Sequence, residues 1–450
     1  MALKLYNTLY RKKQIFKPIK KTVGIYTCGP TVYFFSHIGN LRSYIFSDIL
    51  NRVLEFNNFK TKQIINVTDV GHLTSNADQG EDKIEKAAKK EKKSTQQIAN
   101  YYLNNFKQDL KKLNIKEPNI WAKATEHIKE QIELIKILEK KGFTYKTKDG
   151  IYFNTSKIKN YGELAKLDIK GLQAGKRIEL KEKKNITDFS LWKFSEKPGI
   201  RQQEWNSPWG IGFPGWHIEC SAMALKYLGD KIDIHTGGID HIPTHHTNEI
   251  AQNQAATGKK VVNFWMHGAF LLSNGKKASK STGGLFTLSE LEYNPLSFRY
   301  LTFLTHYRKS LNFSLKSLEK ANNAYSKLKN IIQELKDDKK INKKYLNEFK
   351  NAINNDLDMP KALSILWNLI RDKKAQGKVR TIKEMEKVFA LDLFNKKEIS
   401  IPKNIKELTE KRKIARKNKN YKESDKLRDK IKKLGYIIED TKKGQKIKKI

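Results

Sequence analysis

Apolar and polar residues follow two different rhythms along this chain, and the change of rhythm marks its parts. Residues 22–28, Thr22-Val23-Gly24-Ile25-Tyr26-Thr27-Cys28, are mostly apolar and run into Gly29-Pro30. That is the pattern of a short buried strand entering a turn. Between 41 and 56 the apolar residues Ile45, Ile49, Val53 and Leu54 or Phe56 recur every three to four positions. This spacing predicts a helix with one apolar face. Residues 61–68 again read as a strand, and strand, helix, strand at this spacing predicts a βαβ unit in a parallel sheet. The buried-strand pattern returns at Ile232-Asp233-Ile234-His235 and at Val261-Val262-Asn263-Phe264-Trp265.

Elsewhere the pattern differs. Residues 80–142 are strongly charged and read as mainly helical, with Leu134, Ile135 and Leu138 forming a stripe that stops near Gly142. Lys148-Asp149-Gly150 is a turn signal, and Ile151-Tyr152-Phe153-Asn154 reads as a strand. From about 295 the period is helical, carried by Leu315, Leu318, Leu328, Ile332 and Leu335. Asp358 is suited to cap a helix whose first turn holds Pro360. Residues 337–345 and 395–404 read as linkers. The last fifty residues predict two helices, a break at Gly435, a strand Tyr436-Ile437-Ile438 and a turn around Lys443-Gly444.

Composition changes the picture in two ways. Lysine and arginine outnumber aspartate and glutamate by 89 − 48 = +41. Such an excess suits a polyanionic partner such as nucleic acid, and an AT-rich coding sequence explains the lysine equally well. Only two cysteines occur in 450 residues, which argues against a disulfide scaffold and for a reducing compartment. The N-terminus lacks the apolar core of a signal peptide, and no apolar run approaches the ~20 residues that span a bilayer. A soluble cytoplasmic protein is expected.

Three motifs carry candidate chemistry. Cys28 ends the first strand, and Cys220 lies in Gly215-Trp216-His217-Ile218-Glu219-Cys220-Ser221, shortly before His235, His241, His245, His246 and Glu249. Each cysteine alone reads as a small buried apolar residue. Together with His245 and Glu249, which share a helix face four residues apart, they form a donor set suited to zinc. His246, turned about 100° away on α-helical geometry, is expected to stay outside that set. His37-Ile38-Gly39-Asn40 precedes the 41–56 helix, whose N-terminus suits a phosphate. Lys276-Lys277-Ala278-Ser279-Lys280-Ser281-Thr282-Gly283-Gly284 reads as a mobile phosphate-seeking loop or as a solvated charged one. Gly210-Ile211-Gly212-Phe213-Pro214-Gly215 matches a dinucleotide fingerprint, yet no strand precedes it and Pro214 sits where a helix would begin, so it is set aside.

The strings His37–Asn40 and Lys277-Ala278-Ser279-Lys280-Ser281, about 240 residues apart, resemble the HIGH and KMSKS pair of class I aminoacyl-tRNA synthetases. Residues 26–33, 214–223, 233–238, 245–252, 311–314 and 424–429 are similar to cysteinyl-tRNA synthetases in particular. The resemblance implies an α/β fold: a Rossmann-like parallel-sheet catalytic domain (1–110 and 211–294), an α+β connective insertion (111–210), a helical bundle (295–395) and a small basic anticodon-recognition domain (396–450). It implies activation of cysteine with ATP and transfer to tRNA(Cys), with one zinc ion per subunit on Cys28, Cys220, His245 and Glu249, and Mg²⁺ accompanying ATP. Thr31, Thr68, Trp216 and His235 would line the amino-acid pocket. Pro30, His37, Gly39, Asn40, Gly238, Asp240 and Lys280 would meet ATP, with His37, Asn40, Lys277 and Lys280 catalytic. A monomer acting on ATP, L-cysteine and tRNA(Cys), away from membranes, is expected. Two departures stand out: Asn40 replaces the second histidine of HIGH, and Ala278 replaces the methionine of KMSKS.

Overall fold

A computed structural model of the chain describes residues 1–71, 73–75, 79–167, 183–273, 276–277, 286–395, 403–441 and 444–449. They fall into two compact units, Met1–Leu393 and Phe394–Ile450.

The first unit is built on a five-stranded parallel sheet. Its strands are β1 (Thr22–Thr27), β2 (Lys60–Val67), β3 (Ile120–Lys123), β4 (Ile232–Gly238) and β5 (Val262–Gly268). Their spatial order is β5-β4-β1-β2-β3. The inner strands are buried on both faces, as parallel strands covered by helices must be, which explains their continuous apolar runs. β1 therefore starts two runs of strands, one toward β2 and β3 and one toward β4 and β5. The crevice beyond the β1 and β4 carboxyl ends is where strand order reverses, the usual ligand position in open α/β sheets.

β1 leads through a short loop into α1 (Ile38–Phe56), which crosses to β2 as predicted. Leu54 is the buried alternative and Phe56 is half-buried. β3 is a correction: residues 80–142 do carry helices at Lys83–Glu91, Thr95–Lys112 and Ile128–Lys140, but Ile120–Lys123 interrupts them and pairs with β2. Four residues are too few to show a period, and Pro118 just before them is the only break in the pattern.

The segments Thr144–Lys146, Gly150–Phe153, Phe189–Phe194 and Gly212–Pro214 form a separate four-stranded sheet of antiparallel pairs. The helix α2 (Trp216–Leu228) lies between the two sheets. Its Cys220, Met223 and Ala224 join the core of the parallel sheet. Its Ile218 and Ala222 join Phe153, Phe189 and Trp192. With both faces buried, α2 holds Cys220 firmly in place.

Helices Pro295–Phe303, Leu315–Glu334, Lys343–Asn354, Met359–Arg371 and Lys378–Phe389 follow. Leu318, Leu328 and Ile332 are core, whereas Leu315, the first residue of its helix, is exposed. Asp358 caps its helix by accepting from Lys361 N at 3.0 Å. The expected 337–345 linker ends early, because Asn342 caps a helix starting at Lys343. Among the described residues no helix is long and apolar enough to cross a membrane.

The second unit has helices Lys403–Lys417 and Tyr421–Lys433 and a hairpin of Tyr436–Thr441 with Gly444–Lys449. Its core is Ile405, Ile431, Tyr436 and Ile438. Arg412 grips Asp440 with two bonds of 3.0 Å.

Candidate active site

The carboxyl edge of the parallel sheet gathers His235, His241, His245 and His246 with both cysteines. Cys28 follows β1, Cys220 sits on α2, and His235 lies within β4. His245 lies in a π-helical turn, Ile242–His246, and Glu249 lies in the first turn of α3 (Thr247–Thr257). One donor atom from each of Cys28, Cys220, His245 and Glu249 lies within 4.8 Å of the others, and all four residues are buried. His245 Nε2 is 3.1 Å from Glu249 Oε1. Its other nitrogen, Nδ1, is 3.0 Å from His217 Nδ1, the kind of outer contact that fixes which ring nitrogen faces a metal.

His246 is not part of that group of four, but it is not remote from it either. Its Nε2 lies 3.1 Å from Cys28 Sγ, and Cys28, His235, His246 and Glu249 form a second, overlapping donor group. Its place in a second group has a local basis. Residues 242–246 wind with i→i+5 bonds, so α-helical angles do not apply to them. His246 is further tied to His267 (Nδ1 to Nε2, 2.7 Å), and His267 to Thr8.

Electrostatics fit a cation. Burial pushes the Cys28 thiol up, reinforced by Cys220 and Glu249. Burial also acts on Cys220, but its contacts with Cys28 and His245 overcome it and bring it down to about 6. His245 is driven the opposite way from burial, up to about 10, by Cys220 and Glu249. Glu249 is held well below the usual carboxylate range despite burial, by His235 and His245. Two sulfurs and a carboxylate packed without solvent are a donor set that a divalent ion satisfies, and the N/S/O mixture is one that zinc accepts.

The other candidate residues surround this cluster. Trp216 stacks on His245 at 4.4 Å between ring centroids. His235 Nε2 is 3.0 Å from Glu249 Oε2, and its ring stacks on Trp265 at 4.5 Å. Thr31 and Thr68 face each other across a single parallel bridge just beyond β1 and β2. Thr68 Oγ1 donates to Glu219 Oε2 at 3.0 Å, while Thr68 N donates to Pro30 O. Burial pushes the Glu219 carboxyl well up. Gly29 allows the approach of β1 to β2: a Cβ there would fall 1.6 Å from Asn66 O.

On the nucleotide side, His37 is the N-cap of α1. Asn40 N donates to His37 Nδ1 and His37 N donates to Asn40 Oδ1, each at 3.3 Å, a reciprocal capping box. Asn40 thus has a structural role that a departure from HIGH does not suggest. Gly39 leaves room for the His37 ring, which a Cβ would meet at 2.9 Å. Gly238 ends β4, and Asp240 folds back over it beside Ser43 of α1. Lys277 lies in a short strand, Lys276–Lys277, paired with Leu271–Ser273, rather than in a loop. Lys280 lies outside the described residues.

Residues 15–323 match the model of the tRNA synthetase class I (C) catalytic domain, and residues 400–447 match that of the cysteinyl-tRNA ligase anticodon binding domain. Cysteine–tRNA ligase 1 of Burkholderia lata is 45% identical over 99% of this chain and 97% of its own length. The cysteine–tRNA ligase of Treponema denticola is 44% identical over 98% of each. The chain belongs to the cysteine–tRNA ligase family. Among solved structures, Mycobacterium tuberculosis methionyl-tRNA synthetase in complex with methionyl-adenylate covers 83% of this chain with 89% of its own, at a TM-score of 0.59 and 14% identity, a likeness of fold.

For this family member, reasoning from sequence missed His217, His267 and Glu219 as parts of the cluster, and missed that His246 joins a second donor group. His217 and Glu219 were visible beside Cys220 on a helix with both faces apolar, which implies that its polar residues are buried too. The link from His246 to His267 had no local signal.

Proposed function

We propose that this chain activates L-cysteine with ATP and passes the cysteinyl group to tRNA(Cys), holding one zinc ion per subunit on Cys28, Cys220, His245 and Glu249. The observation that carries this reading is the meeting of those four donors, from four separate elements, at the sheet's switch point. Bound there, zinc would supply a soft Lewis acid that favours a thiolate over a serine hydroxyl, a choice that a purely apolar pocket makes poorly.

The protein's own residues do the rest. Trp216 and His235 wall the pocket and exclude water from the thiol. Thr31 and Thr68, held by β1 and β2, orient the amino acid. The exposed N-terminal turn of α1, with His37 and Asn40, faces the phosphates, and Gly238 with Asp240 takes the adenosine side. Pro30 and Gly39 shape the approach. Lys277 and Lys280 neutralise charge as cysteine's carboxylate attacks the α-phosphate and pyrophosphate leaves, with Mg²⁺ accompanying ATP. Residues 1–110 with 211–294 would form the catalytic domain, to which Ile120–Lys123 within the 111–210 insertion adds an edge strand; 295–395 would form the bundle, and 396–450 the anticodon module of a cytoplasmic monomer.

The test is cysteine-dependent ATP–pyrophosphate exchange on metal-replete protein. Exchange with cysteine and none with serine is expected. Equal acceptance of both would overturn the assignment.

A further inference from the structure

Beside the α1 N-terminus lies an aromatic ledge that the chemistry above leaves unused. Phe34 and Phe35 sit in the loop before His37, exposed by 50% and 37%, and Tyr101 on helix Thr95–Lys112 is exposed by 46%. Large apolar rings are normally buried, and three together at one rim mark a contact surface. They form a single cluster: Phe35 lies 6.0 Å from Tyr101 and 5.1 Å from Tyr102, and Phe34 lies 5.8 Å from Phe35. Tyr102 is buried beneath and anchors the group, its hydroxyl donating to Glu91 at 2.7 Å.

Ammonium groups flank the ledge, one of them against a ledge ring. Lys93 sits 5.2 Å over Tyr101, and Lys83 sits 5.6 Å over Tyr33. Lys86 and Lys90 on the preceding helix, Lys83–Glu91, and Lys92 at its end are exposed. Lys93 also meets Glu91. Flat π faces with a lysine over one of them and exposed lysines close by in the chain match one chemistry best. Unpaired nucleobases stack on aromatic rings, while their linking phosphates pair with lysines. An apolar protein surface has no use for the lysines, and an acidic peptide has no use for three ring faces.

We infer that Phe34, Phe35 and Tyr101 form a stacking ledge for the unpaired 3′ strand of the tRNA as it enters the site. This rests on the tRNA-charging reading above and adds where the strand is received. None of the three residues belongs to the proposed metal, cysteine or ATP sets.

The experiment uses the full chain and a tRNA(Cys) transcript carrying 2-aminopurine at one of the unpaired nucleotides before the terminal adenosine. Stacking should quench its fluorescence on binding. In Tyr101→Ser, and more so in Phe35→Ser/Tyr101→Ser, the quench should fall and the KM for tRNA should rise by about tenfold, the order expected for one lost base–aromatic stack. Cysteine-dependent exchange, which needs no tRNA, should be unchanged in Tyr101→Ser. Wild-type quench and wild-type KM in the double variant would overturn the ledge, as would self-association through the patch with no effect on RNA. Absence of exchange in the unaltered protein would instead overturn the charging reading, and the fluorescence titration would still decide the ledge.

Discussion

Replacing Arg299 by methionine should destabilise the first unit by about 3 kcal/mol. Arg299 and Asp48 are both fully buried, with Nη2 and Oδ2 2.5 Å apart. Arg299 also donates to Phe389 O at 2.8 Å and Leu113 O at 3.0 Å, so one guanidinium joins α1, the end of helix Lys378–Phe389 and the end of helix Thr95–Lys112. Removing one partner of a buried pair typically costs ~3–5 kcal/mol, because the other charge is left without compensation. The lower end applies here, since Asp48 keeps Arg52 at 2.8 Å and Lys116 N at 2.9 Å. Urea unfolding followed by tryptophan fluorescence measures the loss. All seven tryptophans lie before residue 394, so the signal reports the first unit alone.

The pH dependence gives a second reading of the same pair. Burial raises the Asp48 carboxyl, but Arg299 and then Arg52 outweigh it and hold it below its ordinary value. Its contribution is therefore present above pH ~4 and lost as pH falls through the depressed folded value. In Arg299→Met the same burial is less opposed and the carboxyl rises. The deficit should be largest near neutral pH and shrink as acidification protonates Asp48. Asp48→Asn/Arg299→Met, which has no stranded charge, should cost no more than Arg299→Met alone. A loss under about 1 kcal/mol, or a double variant whose cost is the sum of the singles, would refute the reasoning.

Four further outcomes are expected. Cys220→Ser should lower bound zinc from about one per chain to near zero by elemental analysis, and unchanged content would break the ligand set. Lys280→Ala should abolish cysteine-dependent ATP–pyrophosphate exchange while leaving the urea midpoint in place, and normal exchange would remove its role. Asn40→Ala should cost about 1 kcal/mol in the same unfolding assay by opening the α1 capping box, and a neutral change would show that the box contributes nothing. Ending the chain at Leu393 should leave exchange intact and weaken charging of tRNA(Cys), and undiminished charging would deny the second unit an anticodon role.

Legibility tracked the range of the interactions. β1, α1 and β2 were readable because each is long enough to show its own period, and their apolar residues alone imply the parallel order. Cys28, Cys220, His245 and Glu249 stood out because cysteine is scarce here and His245 and Glu249 are four apart. β3 was hidden because four residues carry no rhythm, and only pairing with β2 makes them a strand. The second, overlapping donor group that contains His246 was not foreseen, because a π-helical turn depends on what surrounds it, including Pro243 at its start. Asn40 stood out only as a departure from HIGH, because sequence cannot show the backbone bonds that also make it part of a cap.

The same locality explains why metal and nucleotide chemistry can be joined in one step. Cys28 and His37 belong to a single β1–α1 connection, one at its start and the other at the cap of the helix that ends it. That connection is clamped at both sides. Gly29 N donates to Asn66 Oδ1 at 2.7 Å, in a gap too narrow for any side chain at position 29. Ile38 N donates to Phe286 O at 2.8 Å, the first described residue after the segment that contains Lys280. A ligand that pulls on Cys28 therefore strains a short, doubly anchored loop whose other end presents the helix N-terminus. If the proposed roles hold, placing sulfur selection and phosphate binding on one doubly anchored connection would let backbone geometry set the distance between thiol and α-phosphate.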